Sequence, residues 1–188
     1  MHKNLILKTL LLFTIVLTIS SCKKDVLPKP SSQLRLEYPI AQYANFESSC
    51  PFTFVMNEDA IIKGQKDCGF TIMYPKMKAT VYLTYKSVND DIDKLLRDAQ
   101  KLTFEHVIKA DNIIEQPYAN TANKVYGMFY HVDGNAATNS QFYVTDSLKH
   151  FVTGSVYFYA KPNFDSIMPA TDYIRNDMQN LMESMKWK

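Results

Sequence analysis

Glycine is scarce. The five glycines in 188 residues stand alone, at Gly64, Gly69, Gly127, Gly134 and Gly154, so no glycine-rich loop is available to cradle a phosphate. With only eight prolines, a collagen-like or low-complexity chain is excluded as well. Charge of one sign is also lacking, since 21 Lys and Arg oppose 19 Asp and Glu. Two of those lysines, Lys3 and Lys8, lie in a segment expected to be removed that holds no acid, which leaves the remainder neutral. A neutral chain gives no electrostatic reason to expect nucleic acid as a partner. No apolar run approaches the roughly 20 residues that a membrane-spanning helix needs. What the chain does have is 46% hydrophobic and 13% aromatic residues, enough to bury a core and too much for disorder.

The first residues read as an address. Two lysines without acids precede the apolar run Leu10–Ile19, and Ser20-Ser21-Cys22 follows. A positive start, a short apolar stretch and small residues at its end make residues 1–21 a secretory signal peptide. Ile19-Ser20-Ser21-Cys22 also resembles a bacterial lipobox, in which the cysteine becomes the new N-terminus. That resemblance implies a diacylglycerol on the Cys22 sulfur and a third acyl chain on its amine. Several acyl chains anchor a protein to a membrane almost permanently, whereas one does so only marginally.

Cysteine counting agrees with this. Three cysteines, Cys22, Cys50 and Cys68, are an odd number for an exported chain. Lipidation of Cys22 leaves an even pair in an oxidising compartment, which reads as a Cys50–Cys68 disulfide. Two free thiols or half a metal site is the alternative, but no C-x-x-C occurs and no histidine lies near either cysteine in sequence.

Residues 22–33 form the lipidated N-terminus and a charged, Pro- and Ser-containing tether, and 34–188 read as one domain. Alternation predicts strands at Leu34-Leu36-Tyr38, Phe52-Phe54-Met56, Phe70-Ile72-Tyr74 and Ala79-Val81-Leu83-Tyr85. The period then changes. Ile92, Leu95, Leu96, Ala99, Leu102, His106, Val107 and Ala110 form one apolar stripe of a helix. Strands follow at Asn112–Gln116, ending at Pro117, and at Lys124–Val132, Gln141–Thr145 and Phe151–Tyr159. A last helix is capped by Asp165 or Ser166, with Pro169 in its first turn. Its inner face is Ile167, Ala170, Ile174, Met178, Leu181, Met182 and Met185. Four strands, a helix, four strands and a helix specify an α+β fold: a single domain whose largely antiparallel sheet is covered by two main helices. The element order resembles that of the photosystem extrinsic protein PsbP and its Mog1-like relatives, a likeness of order alone.

The candidates for chemistry are few. His106 follows Glu105 on the apolar stripe, but H-E-x-x-H would need a second histidine at position 110, which is Ala. A hydrogen-bonded core histidine fits better. His131 and Asp133 point to one side of a strand, at least one ligand short of a metal site, and read as a solvated strand end. Asp146-Ser147-Leu148-Lys149-His150 contains the residue types of a serine triad, yet no G-x-S-x-G elbow accompanies them, and turn chemistry is the better reading. Asp90, Asp91 and Asp93 suit a helix start more than a cation loop. Nothing here specifies a catalytic residue, a cofactor or a metal. The 12 Tyr and 11 Phe lie largely on strands and on both of their faces, as in Val156-Tyr157-Phe158-Tyr159. Either helices cover both sides of the sheet, or one aromatic face docks a protein partner.

Blocks along nearly the whole chain beyond Cys22 resemble the gliding motility lipoprotein GldD family. They are Cys50-Pro51-Phe52, Asp67-Cys68-Gly69-Phe70, Tyr74–Tyr85, His106–Asp111, Val125-Tyr126-Gly127, Gly134–Ala137, Gln141–Phe151, Pro162–Ser166 and Leu181–Trp187. The resemblance implies an envelope lipoprotein needed for movement over surfaces, with a machinery linked to type IX secretion. Its partners are then the membrane, through the lipid, and other gliding or secretion envelope proteins, and it carries no known active site. The resemblance implies an outer-membrane anchor, and because Lys23-Lys24-Asp25 lacks the acid-rich run that resembles a surface-export signal, the domain is expected to face the periplasm. An envelope carrier of a small apolar ligand or lipid is the second reading, to be recognised by an aromatic-lined pocket. A hydrolase built on His131 or His150 is a third.

Overall fold

The computed structural model describes residues 36–64, 66–105, 109–159 and 164–188. Within the unit Ser31–Lys188, alternation of buried and exposed side chains builds two antiparallel sheets. The smaller joins β1 (Tyr43–Phe46), β2 (Phe52–Asn57) and β10 (Lys186–Trp187) in the order β1-β2-β10. The larger contains β3 (Ile61–Gly64), β4 (Phe70–Tyr74), β5 (Ala79–Ser87), β6 (Ala110–Asn120), β7 (Val125–Gly134), β8 (Ser140–Thr145) and β9 (His150–Phe158). Its order is β3-β4-β5-β9-β8-β7-β6. Helix α1 (Ile92–Phe104) lies between β5 and β6, and α2 (Phe164–Glu183) between β9 and β10.

The α+β class, the antiparallel sheet and the two helices match expectation, with two more elements than alternation revealed. Strand β3 is a short, mostly exposed edge partner of β4. The first strand is β1, not the segment around Leu36 and Tyr38. Residues 36–42 carry no regular structure, and Pro39 removes a donor that a ladder there would need. Leu34 lies outside the described residues.

One face of the large sheet meets the small sheet and α2. Ile72, Val81, Leu83, Phe129, Phe142, Val144, Val152 and Val156 pack there against Phe52 and Phe54 of β2 and Ile174, Met178 and Leu181 of α2. Phe46, Phe52, Phe54 and Phe70 form edge and tilted ring pairs with centroids 5.0–6.1 Å apart, the arrangement that aromatic quadrupoles favour. Helix α1 covers part of the opposite face. Its Leu95 and Thr103 are buried, Thr103 Oγ1 donates to Gln141 Oε1 at 3.1 Å, and Phe104 meets Tyr130 edge-on. The helices thus sit on opposite faces, which accounts for much of the two-sided aromatic pattern.

Three boundaries moved. Helix α1 stops at Phe104, and Ala110 opens β6 instead of closing the stripe. Leu102, expected inside, is 41% exposed, because the helix rotates the smaller Thr103 onto the sheet. His106 lies outside the described residues. Strand β6 runs through Pro117 to Asn120; it is the sheet's edge, where a missing N–H costs no ladder bond. Helix α2 begins at Phe164, which puts Pro169 beyond the first turn and inside the helix.

Gly154 shows how tightly β8 and β9 meet. A Cβ placed there would lie 2.2 Å from Phe142 Cε1, on a ring that is 2% exposed and cannot swing away. We expect Gly154→Ala to lower stability by about 1–3 kcal/mol through overpacking, read as a drop in the urea midpoint at unchanged m-value.

Candidate functional site

Among the described residues, the run Asp146–His150 folds as a tight turn. Asp146 Oδ1 accepts backbone N–H bonds from Leu148, Lys149 and His150 at 3.0, 2.8 and 2.8 Å. Thr145 Oγ1 accepts from the Ser147 N–H at 2.9 Å. Ser147 sits at φ 67°, the left-handed conformation of a tight turn. The imidazole faces elsewhere, with Nδ1 2.9 Å from Tyr85 Oη. Asp146 and the Ser147 backbone are therefore spent on the β8–β9 turn, as their spacing suggested, while the His150 ring is held by Tyr85. Burial alone would raise the Asp146 carboxyl, but the backbone N–H groups outweigh it and hold the group below its ordinary value.

His131 and Asp133 share a side of β7, yet they are not a solvated strand end. Both are half-buried, because α2 crosses this part of the sheet. His131 Nε2 lies 3.2 Å from Gln116 Oε1, and Asp133 pairs with Arg175 Nη2 of α2 at 3.6 Å. Burial, then the Arg175 charge, lowers the His131 pKa. Among the described residues no group of three or more His, Cys, Asp or Glu could hold a metal ion.

Cys50 and Cys68 form a disulfide, with Cα atoms 5.5 Å apart. Each cysteine lies two residues before a strand, and those strands, β2 and β4, belong to different sheets. The bridge thus fastens the small sheet to the large one. Beside it, Asp67 and Cys68 both sit at φ 58°, a conformation costly for residues with a Cβ. An open cleft of about 540 Å³ runs from this turn to α1, lined by Asp67, Tyr85, Lys86, Asp91, Lys94 and Asp98. Five of its nine lining residues are charged and it is open to solvent, unlike the enclosed pocket expected of a lipid carrier.

The largest polar feature inside the fold was not anticipated. Asp177 of α2 is 4% exposed and accepts hydrogen bonds from Tyr43 Oη at 2.5 Å and Asn57 Nδ2 at 2.7 Å. The Tyr74 hydroxyl bonds to the same carboxylate. Asn57 Nδ2 also reaches Tyr173 Oη at 3.0 Å, and Asn180 Nδ2 donates to Tyr43 Oη at 3.0 Å. The cluster locks β1 and β2 onto α2. A signal existed in the sequence: Ala170, Ile174, Asp177 and Leu181 follow one helical stripe, so an acid had been placed on the inner face.

Two exposed surfaces stand out. On the large sheet, beyond the reach of α1, Tyr82 and Tyr159 are 37% and 65% exposed. Their hydroxyls lie 3.2 Å apart, Thr80 Oγ1 donates to Tyr159 Oη at 3.1 Å, and Tyr157 meets Tyr82 edge-on at 5.8 Å. This tyrosine patch is ordered by its own hydrogen bonds, so presenting it to a partner costs little further side-chain entropy. At the β8–β9 turn, a second open cleft of about 440 Å³ is lined by Lys124, Lys149, Lys186 and Lys188 around His150 and Trp187.

No helix among the described residues is long and apolar enough to cross a membrane. No curated protein and no solved structure matches the chain. The family model of the gliding motility lipoprotein GldD matches residues 23–187, and the chain belongs to that family of membrane-anchored cell-envelope lipoproteins.

Proposed function

We propose that the protein is a non-catalytic subunit of the gliding apparatus and its associated type IX secretion machinery. In this reading residues 1–21 are cleaved, Cys22 carries the lipid, 22–33 are the tether, and 34–188 are a domain that recognises another envelope protein. The observation that carries it is the tyrosine patch of Tyr82, Tyr157 and Tyr159. Tyrosine is enriched at interfaces and at hot spots, where it supplies apolar area and a polar tip together. Tethering supports the same role by raising the domain's effective concentration beside membrane partners.

The carrier reading finds less support. The space between the sheets is occupied by Phe52, Phe54, Phe70, Ile72 and Met178, each no more than 6% exposed. Asp146 is committed to the turn and the His150 ring to Tyr85, which leaves a hydrolase at His150 with little support.

A photo-crosslinking residue at position 157 in living cells is expected to trap one discrete envelope protein, and Tyr82→Ala with Tyr159→Ala to abolish both that adduct and spreading. Recovery of uncrosslinked monomer alone would overturn the docking role. Cys22→Ala, followed for localisation and spreading together, tests the anchor. Protease treatment of intact cells tests the periplasm-facing position on the outer membrane, since rapid loss of the domain would place it outside.

A further inference from the structure

The turn between β8 and β9 carries an apolar residue where solvent would ordinarily disfavour one. Leu148 is 74% exposed and touches no part of the core. It is held there deliberately: Asp146 Oδ1 gathers the N–H groups of Leu148, Lys149 and His150, and Thr145 Oγ1 donates to the His150 carbonyl at 2.6 Å. These bonds make the turn a stiff peg. Around it stand the exposed Lys124, Lys149, Lys186 and Lys188. Lys188 lies 3.4 Å from Glu47, but among the described residues no carboxylate pairs with Lys124, Lys149 or Lys186. The nearby Asp146 carboxylate has one oxygen occupied by the turn's own backbone. The floor is Trp187, stacked on His150 with centroids 5.1 Å apart and donating Nε1–H to the Lys124 carbonyl at 3.0 Å.

From an exposed aliphatic tip beside three lysines without a carboxylate partner, we propose that this end of the domain docks on the anionic lipid headgroups of a membrane surface. The proposal rests on the tethered reading above. A lipid at Cys22 with residues 23–35 between it and the described fold would hold the domain within about 45 Å of the bilayer even if the chain were fully extended. At that distance a weak surface contact suffices. Each lysine near an anionic surface contributes roughly a fivefold gain in partition, and the peg adds burial of one apolar side chain. Three lysines set against the single Asp146 carboxylate leave a net positive cleft, which with a leucine matches a charged, apolar-backed plane better than a neutral protein surface. Because headgroup charge is the attraction, docking is lost in salt.

The chain contains one tryptophan, so Trp187 emission reads the docking directly. The purified lipoprotein, anchored through its own lipid, is placed in vesicles of phosphatidylcholine with or without phosphatidylglycerol, brominated near the headgroup. Quenching of Trp187 is expected only with phosphatidylglycerol. It should be relieved by about 1 M salt, where the screening length is ~3 Å, and lost in Lys149→Glu/Lys186→Glu. Leu148→Ser should weaken it, and all these positions are exposed, so the fold is untouched. Sedimentation of the protein with vesicles without quenching would overturn docking while leaving the anchor intact. Equal quenching on pure phosphatidylcholine, or quenching indifferent to charge reversal, would overturn it too. Displacement by millimolar inorganic phosphate would reassign the cleft to a free anion. Failure to sediment would instead remove the tether, and the proposal with it.

Discussion

Replacing Asp177 with alanine is expected to destabilise the fold by about 3–4 kcal/mol, a large share of the 5–15 kcal/mol that holds a domain of this kind together. The reason is what remains behind. Tyr43, Asn57 and Tyr74 all direct donors at this carboxylate, and its removal strands several of them in the interface between the small sheet and α2. Asp177→Asn should cost less, about 1–2 kcal/mol, because one oxygen survives to accept from Tyr43 while its amide opposes that of Asn57. Urea midpoints of the three proteins at neutral pH would show the order. Equal midpoints for native and Ala proteins would mean that the cluster contributes nothing to holding the two layers together.

The same residue imposes a pH dependence of definite sign. Burial is the largest influence on Asp177 and raises its carboxyl above the ordinary 3.8, although hydrogen bonds from Tyr43, Asn57 and Tyr74 oppose it. The folded group then binds its proton more tightly than the unfolded chain does. Its favourable contribution is complete below 3.8 and is lost as the pH rises through the raised folded value. Asp146 runs the other way: its folded value lies below 3.8, so its contribution is present above that pH and lost as the pH falls through the lower folded value. Asp177→Asn should therefore remove the loss of stability seen just above 3.8, and leave the acid limb due to Asp146 in place. Stability measured from pH about 3 to 7 would separate the two. An unchanged profile would show that Asp177 titrates alike in both states.

Loss of the Cys50–Cys68 bridge is the second large effect. Its sequence separation of 18 corresponds to about 3 kcal/mol on the chain-entropy model. Here the bridge also spans the two sheets, so the double variant Cys50→Ser/Cys68→Ser should unfold with a lower midpoint and loosen first at β1, β2 and β10. Relaxation of Asp67 and Cys68 out of the left-handed region would offset part of the loss. Hydrogen exchange gives the spatial readout: protection in β1 and β2 should fall more than in β5 and β9. A uniform fall would make the bridge a constraint on the unfolded chain alone.

Much of the architecture was legible because burial on one face of a strand leaves a period of two. β2, β4, β5, β8 and β9 all followed from alternating apolar residues, and α2 from its stripe of Ile174, Met178 and Leu181. The misreadings have physical causes. Strand β3 has little alternation because it is an exposed edge, and β6 could continue past Pro117 for the same reason. His131 and Asp133 looked solvent-exposed because nothing local announced that α2 would cross them. The exposed tip at Leu148 was likewise invisible, since a lone leucine in a turn has no period.

The amino-acid order alone determined the pairing of Cys50 with Cys68 and the layered α+β class, because these follow from residue counts and local periodicity. Only the tertiary structure decided that the disulfide joins two different sheets, that Asp177 gathers two tyrosines and an asparagine, and that lysines from β8–β9 and the C-terminus surround one leucine. Those groups are up to 134 residues apart along the chain. Their meeting is settled by how the sheets and helices pack, which no local pattern encodes.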